Sequence, residues 1–300
     1  MAPVLHDDEV TTDAALVRRL LAAQFAEWSR LDIVPVRSAG TDNAMYRLGG
    51  DLAVRLPRRP GAVMPMDKEH AWLPRLAPFL PLPTPLPLAK GSPGEGYPFP
   101  WSVCRWLDGE NPGPGDAARL ATDLAAFIRA LQAIDATGAP RPGGHNYFRG
   151  APLVQWQSVI AERLAWLADI DDIDRVSAAW KADADATPWD RPPVWIHGDL
   201  CAANLLVRTG RLSGVIDWSC LGAGDPACEL QVAWSLFDHA GRRAFNAVMA
   251  VDEATWRRGR AWGLAIGVLN LSYYRARSAE LAENGRRIID AVLADHAGGG

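Results

Sequence analysis

Hydrophobic and polar positions alternate in short runs over the first third of the chain, and proline or glycine separates the runs. Residues 44–48 and 52–57 flank a Gly-Gly-Asp turn, which is typical of a β-hairpin. The run 31–38 contains Pro35 and is expected at a sheet edge, because proline cannot donate a ladder hydrogen bond. Residues 101–107 are apolar enough for a buried strand. This part of the chain is therefore predicted to be rich in strands.

Helical periodicity, with apolar residues three and four positions apart, is present in two runs of the first third and dominates the remainder. It covers residues 12–28, 66–80, 116–134, 153–184 and a long stretch from 227 almost to the end. Pro74 should end or kink the helix in which it lies. A linker rich in proline and glycine lies near residues 107–115. Separate groups of strands and helices indicate an α+β fold, with domains at residues 1–107 and 108–300.

The composition is that of an ordinary globular protein. Of the 300 residues, 49% are hydrophobic and 22% are charged, which argues against a disordered or fibrous chain. The 31 basic and 35 acidic residues give a net charge of −4. They form no basic patch, so nucleic acid is not an expected partner. A mildly acidic surface suits a cationic small molecule.

Targeting and zinc-binding signals are missing from the sequence. The first ten residues are acidic and lack the basic and apolar segments of a signal peptide. The longest apolar run, 261–274, is too short to span a bilayer. The four cysteines form no C-x-x-C pair and have no histidine at zinc-ligand spacing. We therefore expect a cytoplasmic protein with reduced thiols and no membrane partner.

A polar break separates two apolar runs between Trp195 and Val207. It holds Asp199 and Asn204 in a D-x-x-x-x-N spacing, and a further apolar run ends at Asp217. Asn204 and Asp217 offer oxygen ligands for a hard cation such as Mg²⁺. Asp199 is then available to orient a hydroxyl and accept its proton. These are the parts of a phosphoryl-transfer site, and a solvated turn is the alternative.

The chain contains neither a G-x-x-x-x-G-K-[ST] loop nor a G-x-G-x-x-G motif. Instead, HGDLCAANLLV followed by GVIDW resembles the catalytic and metal loops of the aminoglycoside phosphotransferase family. AGTDNAMYRLGGDLAVRLP resembles the family's nucleotide loop and following strands, and GAGDPACEL resembles the turn and helix after the metal loop. The resemblance covers nearly the whole chain. It implies a two-lobed, protein-kinase-like fold, with a strand-rich N-terminal nucleotide-binding lobe and a mostly helical C-terminal catalytic and substrate-binding lobe.

The resemblance also implies roles for individual residues. Asp199 would be the catalytic base, and Asn204 and Asp217 would be the magnesium ligands. Arg55 falls where the family usually carries a strand lysine beneath the phosphates, and Glu69 would be its ion-pair partner. An ordinary exposed ion pair is the alternative for these two residues. The arginine departs from the family pattern, but a guanidinium stays charged and can bind phosphate through two contacts.

Four more residues would contribute to nucleotide binding by the same resemblance. The hydroxyls of Ser38 and Thr41 would help to cover the phosphates. The backbone around Cys104 to Trp106 would form the hinge that binds adenine. The implied cofactors are ATP or GTP together with Mg²⁺.

The implied reaction is phosphorylation of a hydroxyl on a small molecule, an aminoglycoside-like compound that could carry positive charge. The same fold also admits a macrolide, a peptide antibiotic, choline, homoserine or a sugar as acceptor. A protein substrate is disfavoured, because the short loop between Asp217 and Asp225 leaves no room for a long activation segment. The missing lysine favours one further alternative, a nucleotide-binding pseudokinase. We expect a monomer or a homodimer.

Three further groups of residues have a structural interpretation, and one of them also has a functional one. The four aspartates between residues 169 and 174 are either a solvated helix start or an attraction for a cationic antibiotic. Asp225 is expected to cap the next helix, and His197 is expected to brace its own loop. The tryptophans on apolar helical faces are expected in the core: Trp28, Trp72, Trp156, Trp166 and Trp234.

Overall fold

The computed structural model of the chain describes residues 9–36, 42–113 and 117–298. The chain divides into two compact units by its internal contacts. The strand-rich unit comprises Met1–Asn111, Ala203–Arg208 and Ser213–Ser219. The helical unit comprises Pro112–Ala202, Thr209–Leu212 and Cys220–Gly300. The lobe boundary after residue 107 stays a prediction.

Within the described part of the strand-rich unit, one sheet has five antiparallel strands in the order β1-β2-β3-β5-β4. The strands are β1 (Ile33–Pro35), β2 (Asn43–Leu48), β3 (Leu52–Pro57), β4 (Pro87–Gly91) and β5 (Trp101–Arg105). The hairpin expected around the Gly-Gly-Asp turn is β2–β3, and the strand that contains Pro35 lies at the edge, as predicted. The register sets Arg55 of β3 opposite Met45 of β2 and Ser102 of β5.

Helix α1 (Ala14–Gln24) covers one face of this sheet. Asp13 starts the helix, because its side chain accepts a hydrogen bond of 2.7 Å from the Leu16 amide. The apolar face of the helix is fully buried at Leu20 and Leu21. These leucines belong to a core that also contains Trp101 of β5. Complete burial of one such side chain stabilises the fold by about 1.5–3 kcal/mol.

Helix α2 (Val63–Leu76) follows the hairpin, and it carries Glu69. The sequence predicts that Pro74 ends or kinks this helix, and the helix ends two residues beyond the proline, at Leu76. Pro74 lies in the last turn, where the chain loses only the one hydrogen bond that its missing amide would make. A short 3₁₀ turn, Ala77–Phe79, then ends the helical segment.

The helical unit contains most of the helices and a short two-stranded sheet. Its helices are α3 (Ala117–Gln132), α4 (Gln157–Trp166), α5 (Ile173–Ala184), α6 (Val232–Leu236), α7 (His239–Met249), α8 (Glu253–Tyr274) and α9 (Ala279–Gly298). Strand β6 (Val194–Ile196) pairs antiparallel with β9 (Gly222–Gly224). The apolar run beginning at Ala261 is buried within α8, as expected. No helix in the described ranges has the length and apolarity needed to cross a membrane.

The tryptophans on helical faces do not all lie in the core. Trp156 and Trp234 are buried as predicted, and Trp28 and Trp72 are half-buried. The prediction is wrong for Trp166, which is 52% exposed. Trp166 ends α4, and the Arg163 guanidinium lies 3.9 Å from the centre of its ring. This cation–π contact gives the ring a partner without burial.

A second hairpin consists of β7 (Leu205–Arg208) and β8 (Arg211–Val215), which form a two-stranded sheet. The turn between them contains Thr209 and Gly210, both with positive φ. Residues just before β7 and just after β8 therefore lie at the same end of the hairpin. Asn204 immediately precedes β7, and Asp217 follows β8.

Candidate active site

The loop after β6 carries Asp199 and is fastened through its backbone. The Glu229 carboxylate accepts hydrogen bonds from the His197 amide at 3.1 Å and from the Gly198 amide at 2.8 Å. Both Glu229 and His197 are fully buried. The ring Nδ1 of His197 accepts a bond of 3.3 Å from the Asp199 amide. His197 therefore braces the loop, as the sequence predicts.

Gly198 is required by the tight packing of this loop. Its φ of +82° lies in the left-handed region, which favours glycine. A methyl group at this position would lie 2.7 Å from the Cys220 carbonyl oxygen and 3.2 Å from Cβ of Arg149. The loop thus has no space for a side chain immediately before Asp199.

Asp199 itself is partly exposed, with 38% of its side chain accessible. Arg149 Nη2 lies 3.9 Å from Asp199 Oδ1, and the arginine side chain is only 12% exposed. Burial would lower the pKa of Arg149, but the Asp199 carboxylate and the Cys220 and Cys228 side chains together outweigh burial, and the pKa is raised. The carboxylate that could accept a proton is therefore accessible, while the cation beside it is not.

The strand-rich unit brings Arg55, Glu69 and Asp217 together. Arg55 Nη1 donates to Glu69 Oε2, and Arg55 Nη2 lies 3.7 Å from Asp217 Oδ1. The side chains of Arg55 and Glu69 are 11% and 9% exposed, so this is not an ordinary surface ion pair. Burial would lower the pKa of Arg55, but the Glu69 and Asp217 carboxylates together outweigh burial, and the pKa is raised above its ordinary value. The guanidinium therefore remains charged at any physiological pH.

The loop that carries Asp217 is held in an unusual backbone conformation. Asp217 has a φ of +58°, which residues other than glycine adopt infrequently. Its Oδ1 accepts a 3.3 Å bond from the Ser219 amide. Lys68 Nζ, on α2, donates to the Ser219 carbonyl at 2.8 Å. A strained non-glycine residue fixed in this way is a feature found at functional sites.

Asn204 and Asp217 fit a magnesium site. The Ile216 amide donates to the Asn204 carbonyl at 2.9 Å, which fixes the two segments beside each other. One carboxylate and one amide are suitable oxygen donors for Mg²⁺, which keeps several waters and takes further ligands from substrate phosphates. The Asp217 side chain is 35% exposed, so its oxygens are accessible.

Of the four further residues expected to bind the nucleotide, the structure describes Cys104 and Trp106. Cys104 is buried in β5, and burial raises the pKa of its thiol to about 12. The amides of Arg105 and Trp106 donate to the carbonyls of Leu86 and Asp51 at 2.9 and 2.8 Å, so these two donors already have partners. The adenine contact stays a prediction. The other two expected residues, Ser38 and Thr41, lie outside the residues that the structure describes.

A family model described as the phosphotransferase enzyme family matches residues 33–262. The chain belongs to this family. The span contains Arg55, Glu69, Asp199, Asn204 and Asp217. Family membership agrees with the resemblance that the HGDLCAANLLV and GVIDW motifs carry.

Relatives of this phosphotransferase-family chain support the same assignment. An aminoglycoside 3'-phosphotransferase of Salmonella typhimurium is 30% identical over 125 residues, which are 41% of this chain and 45% of that protein. The chain thus matches less than half the length of this curated relative. A solved GDP and kanamycin complex of an aminoglycoside 2''-phosphotransferase has a TM-score of 0.71 at 19% identity, over 93% of this chain and 98% of that one. A macrolide 2'-phosphotransferase of Brachybacterium faecium has a TM-score of 0.60 at 21% identity, over 93% and 98%. The kinase-like α+β fold, with a strand-rich N-terminal part and a helical C-terminal part, is confirmed.

Sequence reasoning missed three residues that fix the site of this phosphotransferase-family chain: Lys68, Arg149 and Glu229. Glu229 carried a usable signal, because a carboxylate in the apolar run PACELQVAW must have a buried partner. Arg149, in HNYFRG, and Lys68, on an amphipathic helix, gave no such signal. Their partners are distant in the chain, and only the folded structure reveals them.

Two acidic features have structural roles. Asp225 caps the segment after it, because its Oδ1 accepts from the Ala227 amide at 2.9 Å, and it also forms a buried pair with Arg258 at 2.7 Å. In the aspartate cluster, Asp169 binds Arg275 and Asp172 binds Arg286 through two contacts each. Intramolecular pairing of two of the four aspartates weakens the interpretation that they attract a cationic antibiotic.

Proposed function

We propose that this protein transfers the γ-phosphoryl group of ATP or GTP to a hydroxyl of a small molecule, most directly an aminoglycoside-like compound. The observation that carries the proposal is the buried contact of Arg55 with both Glu69 and Asp217. A single carboxylate would neutralise the guanidinium. The second contact links a phosphate-binding cation to an acidic metal ligand, which is the combination that phosphoryl transfer requires.

Asn204 and Asp217 are the proposed magnesium ligands, and Arg55 is the proposed phosphate contact. Mg²⁺, when bound, neutralises the charge that develops on the phosphate oxygens. Glu69 keeps the guanidinium in place by accepting its Nη1 hydrogen bond. Lys68 supports the Asp217 loop through the Ser219 carbonyl. Ser38, Thr41 and the Cys104–Trp106 backbone remain proposed contacts for the rest of the nucleotide.

Asp199 is the proposed catalytic base. It accepts the hydrogen bond of the substrate hydroxyl, whose oxygen attacks the γ-phosphorus. The bond from that phosphorus to the oxygen bridging it to the β-phosphate breaks, ADP or GDP leaves, and the hydroxyl proton passes to Asp199. The exposed carboxylate on a rigid loop supports this role, because proton transfer needs an acceptor fixed within hydrogen-bond reach.

The acceptor class is inferred from the relatives, in which aminoglycosides recur. A net charge of −4 is compatible with a cationic acceptor. The lobes are proposed to be residues 1–107 for the nucleotide and 108–300 for catalysis and acceptor binding. A cytoplasmic location is proposed because the phosphoryl donor and Mg²⁺ are supplied there.

An acceptor screen with purified protein tests the proposal. ADP or GDP formation is followed with Mg²⁺ and each nucleotide, in the presence of kanamycin, gentamicin, streptomycin, a macrolide, choline or homoserine. Mass spectrometry then identifies the phosphorylated acceptor. We expect nucleotide turnover that depends on an aminoglycoside and on Mg²⁺.

The other outcomes of the screen are equally informative. Turnover with the macrolide alone would correct the acceptor class and keep the reaction type. Nucleotide binding with no turnover against any acceptor would contradict the proposal and support a pseudokinase.

A further inference from the structure

Arg149 is a buried cation whose position the fold alone does not explain. Its side chain is 12% exposed, and Nη2 lies 3.9 Å from Asp199 Oδ1. Among the described residues, Nε and Nη1 of Arg149 have no hydrogen-bond partner, although the guanidinium also has a side-chain hydrogen bond with Cys220. A guanidinium stays charged even when buried, and burying a charge with incomplete pairing is unfavourable. A position of this kind is better explained by the use of its charge than by a contribution to stability.

The main chain on both sides of Arg149 is rigid. Fully buried Asn146 donates from Nδ2 to the Arg149 carbonyl at 3.1 Å. Gly150 follows with a φ of +75°, and its carbonyl accepts from the Asp225 amide at 2.9 Å. A methyl group on Gly150 would lie 2.6 Å from Cδ1 of Ile196. The fold thus anchors the arginine directly against the strand that leads into the Asp199 loop.

The side chain of Arg149 packs on that loop. Its Cβ lies 3.2 Å from where a methyl group on Gly198 would be, so the arginine begins in contact with the residue before Asp199. The guanidinium then reaches the Asp199 carboxylate from within the protein. The Asp199 side chain is 38% exposed, so its carboxylate is accessible to a substrate hydroxyl.

The charges within the helical unit that act on Asp199 oppose each other. The Glu229 carboxylate interacts unfavourably with Asp199 and favourably with Arg149, and burial raises the pKa of Glu229 to about 7. His197, on the same loop, accepts a hydrogen bond from the Asp199 amide through its ring Nδ1. The Cys220 and Cys228 thiols interact with Arg149, and burial raises the pKa of Cys228. Arg149 therefore provides positive charge at Asp199 where a buried carboxylate provides negative charge.

We propose that Arg149 is a positioning residue for Asp199, whose carboxylate it keeps ionised and correctly directed. The charge stabilises the ionised form, and the rigid stem fixes the direction from which the cation acts. The electrostatic part of this inference stands on the geometry alone. The kinetic part rests on the proposed phosphotransferase function.

The direct test is a pH titration of the Asp199 carboxyl carbon by NMR, in protein with ¹³C-labelled aspartate. The signal is assigned by its loss in Asp199→Asn. We expect the midpoint in Arg149→Met to lie about one pH unit or more above the wild-type value, because an opposite charge within about 4–6 Å typically shifts a carboxyl by 1–3 units. An identical midpoint in the two proteins would overturn the proposal.

Matched variants separate this effect from a general loss of structure. Arg149→Lys keeps the charge and should retain a midpoint close to wild type. Arg260→Met removes another largely buried arginine, which is paired with Asp183 at 2.8 Å, and should lower the thermal midpoint without moving the Asp199 signal. An equal shift in Arg260→Met would overturn the proposal. Arg149→Gln replaces Arg149→Met if the methionine variant does not fold.

Kinetics then connect the electrostatic effect to catalysis. With kanamycin as acceptor, Arg149→Met should lower kcat by ~10²-fold, the loss expected when a reacting group is misplaced by about 1 Å. KM for magnesium–ATP should be unchanged, and Arg149→Lys should recover part of kcat. Wild-type kcat in Arg149→Met would overturn the kinetic part. If wild type transfers no phosphoryl group to any acceptor, the proposed function fails, and the NMR midpoint still decides the electrostatic claim.

Discussion

In the strand-rich unit, the Arg55 guanidinium pairs directly with the carboxylates of Glu69 and Asp217. In the helical unit, Asp199 is held through the amides of its own loop, which bind the buried Glu229 carboxylate. The first arrangement holds charged side chains in fixed positions, where they can bind charged ligands. The second leaves the Asp199 carboxylate accessible on a rigid backbone. Under the proposed function, the strand-rich unit would supply nucleotide and metal affinity, while the helical loop would supply turnover.

The largest expected effect is that of Asp199→Asn, which should lower kcat by ~10²–10⁴-fold, the usual contribution of a general base. The amide keeps the shape of the carboxylate but cannot accept the hydroxyl proton. ADP release with magnesium–ATP and kanamycin measures the effect, and Asp190→Asn, at an exposed position, is the control. Turnover of Asp199→Asn equal to that of the control would remove Asp199 from the catalytic role.

The metal role of Asp217 predicts an effect on binding. Asp217→Asn should weaken magnesium–ATP affinity by at least ~10-fold. Loss of a residue that only supports a metal ligand already costs about 10-fold in metal affinity, and a direct ligand should cost no less. ATP affinity without Mg²⁺ should change less, because the amide is mainly a poorer ligand for a hard cation. Calorimetric titration with and without Mg²⁺ separates the two, with exposed Asp51→Asn as control. Unchanged magnesium–ATP affinity would assign the metal to other ligands.

Arg55 stands where the family usually carries a lysine, so substitutions of this residue test its contact with the phosphates. Arg55→Ala should lower kcat/KM for ATP about tenfold or more, since a charge-assisted hydrogen bond contributes about 1.5–3 kcal/mol. Arg55→Lys should keep part of the activity, because the positive charge persists while the bidentate contact with the phosphates is lost. Steady-state kinetics against ATP measure both. Two variants with wild-type kinetics would place the phosphate contact elsewhere and favour the pseudokinase alternative.

The predicted effect of Glu229 is on stability rather than on activity, and it depends on pH. Burial raises its pKa from the ordinary value of 4.5 to about 7, so the folded chain binds this proton more tightly than the unfolded chain does. The resulting stabilisation is complete below pH 4.5 and is lost as the pH rises through about 7. At about 1.4 kcal/mol per unit, the loss amounts to about 3 kcal/mol.

Glu229→Gln cannot ionise and should lack this decline. Its melting temperature relative to wild type should therefore increase between pH 5 and pH 8. Exposed Glu162→Gln should show a constant difference over the same range. A pH-independent difference for Glu229→Gln would mean that Glu229 is ionised throughout.

Local patterns predicted much of this fold. The β2–β3 hairpin, the edge position of Pro35 and the buried helix at Ala261 follow from turn chemistry and apolar periodicity. Trp166 shows the limits of such rules, because an aromatic ring at a helix end can use an arginine as its partner.

The candidate site likewise contains residues that local patterns reveal and residues that they do not. Asp199, Asn204 and Asp217 are recognisable because their spacing reflects local chemistry. Arg149 and Glu229 act on the same loop from positions 50 residues before and 30 residues after Asp199 in the chain. No short-range pattern encodes such contacts, because they arise only when β6, β9 and the segments around them pack together.

The most direct test of the division between the two units is the calorimetric affinity of Asp199→Asn for magnesium–ATP. This division predicts that Asp199→Asn keeps the wild-type dissociation constant for magnesium–ATP although its kcat is lowered by ~10²–10⁴-fold. A loss of affinity as large as that of Asp217→Asn would contradict it, because Asp199 would then belong to the nucleotide and metal site rather than to the catalytic loop.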